Sequence, residues 1–438
     1  MNRRDETEMK LENVSSLLES NSSKVLLRDL YGEEKIAENA ARYQHVAEKF
    51  AEEFKNDEFE FFSAPGRTEI GGNHTDHNHG KVLAGSIQLD CVAAASKNSS
   101  NIVNIISETY DQHLQISLDD LEPSEAHAGT PDLLKGILKG FLDEGYAIGG
   151  FDAYVTTNVI GAAGVSSSAS FEMLICSMVD YFFNDLKLNT VAYAKIGKYS
   201  ENKYWNKQSG LLDQMACACG GIVAMDFKNP DQPVIEKIDF SFDSINYDLI
   251  IVNTGKGHAD LSAEYSSVPI EMKKAAAFFG KETLSEVSLE EFLKNVTEVR
   301  KSAGDRAVMR ALHFFTENQR VDAQVAALKS QQYEEFLKLI TASGNSSWKW
   351  LQNCYSIENY DEQSVTVALA LTELFLDRIQ GGACRVHGGG FAGVILTLLP
   401  KEYTAEYSKY MEEKLGEGCV YVMNIRKYGA IHVDLNKD

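Results

Sequence analysis

The sequence is short of positive charge. Its 438 residues hold 42 Lys and Arg against 64 Asp and Glu, a formal net charge of −22. Polyanionic partners need basic surface, so neither nucleic acid nor an anionic membrane is expected to bind. Long apolar runs are also missing; none approaches the roughly 20 residues of a membrane-spanning helix. Residues 1–22 are charged and polar, and lack the apolar stretch of a secretory signal. Cysteine provides no scaffold. There are seven, an odd number, without a C-x-x-C pair. Cys217 and Cys219 lie two apart among small residues, and zinc would need a second pair that is absent. Reduced, mostly buried thiols in a cytoplasmic protein are expected. No G-x-x-x-x-G-K-[ST] occurs, which excludes a P-loop ATPase. No G-x-S-x-G occurs, so the elbow of an α/β-hydrolase is missing. There is no internal repeat and no low-complexity segment.

What is present is ordinary for a globular enzyme: 44% apolar and 24% charged residues. The length exceeds a single core, so two domains are expected. Residues 1–25 read as an N-terminal extension, helical or loose. The boundary falls in the Asn-Pro stretch 228–232, giving domains 26–227 and 228–438.

One stretch organises the chain. Gly161, Ala162, Ala163 and Gly164 form a small-residue turn, followed by Val165, Ser166, Ser167 and Ser168. The serines open a helix running towards Val179. A helix start carries unpaired N–H groups and partial positive charge, which suits a phosphate cradle. The serine hydroxyls add donors or a magnesium ligand. A plain serine-capped helix gives the same pattern.

The rest follows in order. Residues 24–55 carry Tyr43, Val46, Phe50 and Phe54 at helical spacing. The aromatic run 58–63 reads as a strand ending at Ala64-Pro65-Gly66. Residues 66–80 form a dense polar loop. Strands are expected over 82–87, 90–95 and 151–159, with a hairpin over 102–106 and 114–118. Helices are expected over 132–142 and 191–206. A strand at 222–225 closes the first half and one at 249–253 opens the second. A long helical region spans 262–339, broken near Gly280 and Gly304. A helix over 359–380, a strand over 394–399, a helix over 407–415 and short strands over 418–423 and 430–433 complete the chain.

Several motifs carry chemistry. His74, His77 and His79 sit too close in sequence for a usual helical metal pair. They fit a solvated loop, or a loop that hydrogen-bonds a polyol. Gly388–Gly393 satisfies G-x-G-x-x-G but runs into a strand, not a helix. It fits a glycine-lined wall beside a ligand, or a bulge. Asp213 follows Ser209-Gly210; it either caps a turn or serves as base to a sugar hydroxyl in phosphoryl transfer.

Three stretches together resemble the GHMP small-molecule kinases, and within them the galactokinase family. Ala64–Asp76 is similar to the sugar signature, Gly161–Glu172 to the phosphate loop, and Arg385–Gly393 to the C-terminal glycine motif. Asp213 in Gly-Leu-Leu-Asp-Gln matches a fourth landmark. Order and spacing agree over about residues 40–435. The resemblance implies an α/β domain packed on an α+β domain, the two-domain GHMP kinase fold, with the active site in the interdomain cleft. It implies transfer of the ATP γ-phosphate to the anomeric hydroxyl of a hexose, with Mg2+. Asp213 would be the base or orient O1, and Arg67 would stabilise the phosphoryl charge and keep Asp213 ionised. Asn73, His74, Asp76, Gly210 and Tyr265 would hold the sugar. Residues 161–168 would wrap the phosphates, and Ser168 and Glu201 would bind magnesium. A monomer or weak homodimer is expected.

The sequence departs from the family at five places. Asn73 replaces a Glu that reaches the sugar 6-hydroxyl, His77 a Tyr, His387 a Thr, and Ala392 a Gly. Residues 132–136 lack the aromatic common near the adenine. Asn73 and His77 are also similar to the galacturonic acid kinases of the same family. Galactose is the leading substrate, galacturonate the alternative, and a non-catalytic sugar and ATP sensor a third possibility.

Overall fold

The computed structural model describes residues 9–161, 164–207, 209–255 and 261–436. In the first half run β1 (Met9–Lys10), α1 (Leu11–Leu18), α2 (Asn21–Tyr31), α3 (Ile36–Phe54), β2 (Glu58–Gly71), β3 (Lys81–Lys97), β4 (Ile102–Ser107) and β5 (Gln112–Ser117). They are followed by α4 (Thr130–Asp143), β6 (Phe151–Thr157), α5 (Ser167–Asn184), α6 (Thr190–Tyr204), α7 (Leu212–Cys219), β7 (Ile222–Asp226) and β8 (Val234–Ile238). The second half holds β9 (Tyr247–Asn253), α8 (Ser262–Ala277), α9 (Leu289–Lys294), α10 (Val296–Ala303), α11 (Asp305–Lys329) and α12 (Tyr333–Ser346). It ends with α13 (Ser364–Ile379), β10 (Ala383–His387), β11 (Val394–Pro400), α14 (Thr404–Leu415), β12 (Val420–Met423) and β13 (Ile431–Val433).

The first sheet runs β1-β2-β3-β6-β4-β5. β2 and β3 are buried on both faces, and their period-2 pattern divides the core. Phe62, Ala93 and Ala95 face α4 and α5. Phe59, Phe61, Val92 and Ala94 face α1–α3. On α3, Tyr43, Val46, Ala47 and Phe50 form the buried stripe that meets them. Small alanines on β3 let these helices approach the sheet closely.

The expected break between 82–87 and 90–95 does not occur; β3 is continuous. Its polar middle is where it changes neighbours. Residues 81–85 pair with β7 and residues 91–97 with β6. Asp90, at that change, is fully buried and clamped by Arg42 at 2.6 Å and Arg426 at 2.9 Å. The described part of the N-terminal segment is neither loose nor apart. Val14 and Leu18 are buried in the α3-facing core, and β1 pairs with β2.

The second sheet is antiparallel, in the order β10-β11-β9-β12. Leu249, Ile251, Leu396 and Leu398 face α11 and α12. Ile250, Val252, Ile395 and Leu399 face α13 and α14. The division expected at residue 228 falls in the turn of the β7–β8 hairpin, so β8 stays with the first sheet. β13 also returns to it, pairing with β2. Ile70, Leu83, Val159 and Val165 from the first half share one core cluster with Leu249 and Leu396 from the second. The halves thus meet over packed apolar surface, and the cleft opens beside it.

Candidate active site

β2 carries the chain from the core into the cleft. The polar segment after Gly66 was expected to be loop, yet the strand runs on to Gly71. Register shifts between Pro65 and Arg67 and between Glu69 and Gly71 re-aim its side chains. Arg67 and Glu69, two residues apart, share a face.

Asp213 lies in the first turn of α7. Arg67 donates from Nε to Asp213 Oδ1 at 2.8 Å, and its Nη2 lies 2.7 Å from the same oxygen. Its Nη1 donates to the Gly164 carbonyl. Ser166 Oγ donates to Asp213 Oδ2 at 2.6 Å. Burial would raise the Asp213 carboxyl, but the charges of Arg67 and Lys207 and the Ser166 hydroxyl hold it below its ordinary value. The side chain is still 33% exposed, so a substrate can reach it.

The serine loop is open rather than self-capped. Ser166 sits at the N-cap of α5 in a left-handed conformation (φ 61°), and its hydroxyl makes no cap bond. The hydroxyl is spent on Asp213. Ser170 N–H donates to Ser166 O at 3.0 Å. The N–H groups of residues 167–169 precede that first helical bond, and Ser166–Ser168 line a cavity of the cleft. Ala162 and Ala163 lie outside the described residues.

Ser168 Oγ lies 3.2 Å from Glu201 Oε1. Glu201 also binds Lys207 and Ser209. Gln214 donates from Nε2 to Glu201 and to Glu172, both at 3.1 Å. Burial, and then the Glu201 charge, push the Glu172 carboxyl well above its usual value.

Two cavities meet at Asp213. The smaller, about 450 Å³, is lined by Arg67, Glu69, His74, Asp76, Gly210 and Tyr265 among others. His74 donates from Nε2 to Gly389 O at 2.8 Å, which leaves Nδ1 a bare acceptor without a protein partner. Burial pushes the His74 imidazole down to about 3, so it is neutral. Tyr265 Oη and His77 Nε2 are 3.3 Å apart. His79 does not line this cavity, and among the described residues no His, Cys, Asp and Glu group forms a metal cluster. The larger cavity, about 1450 Å³, is lined by Ser166–Ser168, Lys207, Asp213, Pro269 and Phe391. An adjoining apolar cavity of about 630 Å³ holds Tyr110, Leu133, Phe171 and Trp205.

Gly210 is needed for close approach. A Cβ there would stand 1.8 Å from Asp76 Oδ2. Gly210→Ala is expected to displace Asp76 and raise the sugar KM by about tenfold, with the ATP KM unchanged. Steady-state kinetics varying each substrate separately would check this. Gly389 is similar: its Cβ would meet the Tyr265 ring at 2.6 Å. The glycine motif is thus a wall beside the cavity, in the turn between β10 and β11.

Asn73 departs from expectation. It is fully buried and does not line the cavity. Its Nδ2 donates to Glu69 Oε1 at 2.9 Å and to Gly388 O at 2.7 Å. Its Oδ1 accepts from Asn353 Nδ2 at 2.9 Å and Ser347 Oγ at 3.1 Å. All four hydrogen-bonding positions of the amide are taken by protein. Glu69, which the sequence did not single out, lines the cavity instead. His387 is also structural: its Nε2 accepts from Glu69 N at 2.9 Å.

A mixed sheet and an antiparallel sheet, with an open serine loop at the cleft between them, define a GHMP small-molecule kinase. Residues 132–221 match the model of the GHMP kinases N terminal domain. Mevalonate kinase shares the fold, with a TM-score of 0.56 at 18% identity over 84% of this chain and 98% of that one. Residues 48–97 match the galactokinase galactose-binding signature. A galactokinase from Clostridium tetani is 30% identical over 352 residues, 78% of this chain and 84% of its own. One from Streptococcus mutans is 28% identical over 372 residues, 83% and 90% of the two chains. The crystal structure of Lactococcus lactis galactokinase complexed with galactose has a TM-score of 0.77 at 26% identity, covering 90% of this chain and 100% of that one. The chain belongs to the galactokinase family.

Proposed function

We propose that this protein is an ATP-dependent galactose 1-kinase, forming galactose 1-phosphate and ADP. One observation carries the reading: an ionised Asp213, held by Arg67, stands where a sugar-sized cavity meets a larger one under the serine loop. Phosphoryl transfer asks for positioning and charge stabilisation more than covalent chemistry. Asp213 accepts the hydrogen bond of the anomeric hydroxyl and aims its oxygen at the γ-phosphate. Held below the ordinary carboxylate range, it takes the proton late, as bonding to phosphorus lowers the basicity of O1. Arg67 faces the transferring group with a fixed charge, which a −22 protein has to supply locally. His74, Asp76, Gly210 and Tyr265 shape the sugar cavity. The N–H groups opening α5, with Gly161, Gly164, Val165 and the three serines, cradle the phosphates.

Ser168 and Glu201 offer a hydroxyl and a carboxylate 3.2 Å apart. Such hard oxygen donors suit Mg2+, which takes few protein ligands and shares the rest with phosphates and water. When bound, the ion neutralises phosphate charge. The apolar cavity beside the loop is the place for the adenine. Trp205 lines both it and the phosphate cavity. ATP is expected to quench Trp205 fluorescence, and Trp205→Phe to remove the change while Trp348 and Trp350 still emit. An unaltered response in that variant would move the base elsewhere.

Seven free, buried cysteines support residence in the reducing cytoplasm. Among the described residues no helix is long and apolar enough to cross a membrane. The decisive assay is ADP release with ATP, magnesium and a panel of hexoses. Silence on galactose would remove the reading, and binding without turnover would favour a sensor.

A further inference from the structure

We propose that Glu69 is the specificity-determining carboxylate of the sugar cavity: it accepts a hydrogen bond from a ring or side-arm hydroxyl remote from C1, and it excludes sugar acids. The inference rests on the galactose-kinase reading and names which residue sets its substrate class.

Glu69 is a buried acid with one oxygen committed and one free. Oε1 accepts from Asn73 Nδ2 at 2.9 Å and from Arg385 Nη2. Oε2 accepts no hydrogen bond among the described residues, and it is not among the buried polar atoms left without a partner. Glu69 lines the cavity, and Oε2 is the carboxylate oxygen that the described protein leaves uncommitted there. A carboxylate oxygen left uncommitted by the protein is a strong acceptor, and a sugar hydroxyl is the donor that fits it.

The support behind Glu69 fixes it. Arg385 is fully buried; besides Glu69 it donates to Ile70 O at 3.0 Å and Val386 O at 2.9 Å. Arg385 therefore has no group left to offer a substrate. Burial raises the Glu69 carboxyl, and the Arg385 and Arg67 charges oppose that rise.

Glu69 also reverses what Asn73 suggests when read alone. An amide at 73 would remove repulsion towards an acidic C6. Here the amide is saturated by protein, and a carboxylate four residues earlier faces the cavity. Glu69, Asp76 and Asp213 all line it. The cations beside them are already paired, Arg67 with Asp213 and Lys207 with Glu201. Among the described residues lining the cavity no cation is left unpaired, so a uronate would bring a further negative charge with none of them to meet it, at a cost that burial enlarges.

The test is calorimetric binding, in the presence of a non-hydrolysable ATP analogue and magnesium. The probes are galactose, galacturonate and the 3-, 4- and 6-deoxyfluoro galactoses, because fluorine cannot donate to a carboxylate. Wild type is expected to bind galactose at least about thirtyfold more tightly than galacturonate, and to bind one fluoro sugar about tenfold more weakly than galactose. In Glu69→Gln, galactose should weaken about tenfold and the penalty on that fluoro sugar should fall below about threefold. A merely structural Glu69 would lower affinity for all sugars alike and leave the fluoro penalty intact, which overturns the proposal. So does a wild type that binds galacturonate as well as galactose, or that tolerates every fluoro sugar. If Glu69→Gln does not fold, these wild-type comparisons decide alone. Failure of the galactose-kinase reading is separate: wild type would then neither bind nor phosphorylate galactose.

Discussion

Asp213→Ala is expected to lower kcat by roughly 10²–10⁴-fold, the range for losing a positioned acid–base group, while ATP still binds. In the proposed mechanism the variant removes the acceptor that aims the anomeric oxygen, and it leaves Arg67 and Ser166 without their shared partner. The α5 N-terminus keeps its backbone groups, and the sugar cavity loses one lining side chain while Arg67, His74, Asp76 and Tyr265 remain. Binding and turnover should therefore separate. Single-turnover rates measure the chemical step, and titration with an ATP analogue measures binding. Asp213→Asn is the sharper variant, since it keeps the shape and one acceptor but cannot take a proton. If Asn restored most of the rate, the carboxylate would serve by orientation alone. Unchanged turnover in both variants would remove Asp213 from the chemistry.

The parts of this site that were legible in the sequence are local. Ser166–Ser168, Asp213 and Arg67 each sit in a short motif whose residue types already state a chemistry. The amphipathic stripe of α3 and the aromatic alternation of β2 were legible for the same reason, since period and composition agree there. What escaped depends on partners far along the chain. Asn73 is saturated by Ser347 and Asn353, which lie 274 and 280 residues away. Its identity suggested a ligand contact; its neighbours make it a brace. The role proposed for Glu69 depends on Arg385, which arrives from β10, 316 residues on. β10 itself went unread because Arg385 and His387 interrupt its apolar character. Both are buried through bonds to β2 that no local pattern displays. The polar centre of β3 misled similarly: two strands with a break between 87 and 90 were expected, yet the strand is continuous and Asp90 within it is a buried ion-pair centre between two arginines.

Arg67→Met is expected to cost roughly 10²–10³ in kcat, the scale of removing one preorganised donor to developing charge. Arg67→Lys should recover little of it. A lysine offers a point charge, whereas Arg67 uses Nε and Nη2 on Asp213 and Nη1 on the Gly164 carbonyl in one rigid fork. The pH profile separates this role from simple loss of packing. Wild-type Asp213 lies below its ordinary value because Arg67 and Lys207 outweigh burial. Its rate should therefore persist as pH falls into the carboxylate range, and drop only below it. Without Arg67 the desolvation penalty is less opposed, so the Asp213 carboxyl rises and the acid limb of kcat moves to higher pH. Stability follows the same sign. A depressed folded-state carboxyl contributes stability that is present above the unfolded-state pKa and is lost as pH falls through the folded one. Arg67→Met should forfeit that contribution at neutral pH and show a weaker loss on acidification. Measuring kcat and thermal unfolding across pH for both proteins tests the two together. An acid limb that stays in place would mean that Arg67 does not set the charge of Asp213, and the coupling between the phosphate loop and the sugar cavity would have to run through another residue, with Lys207 next in reach of both cavities.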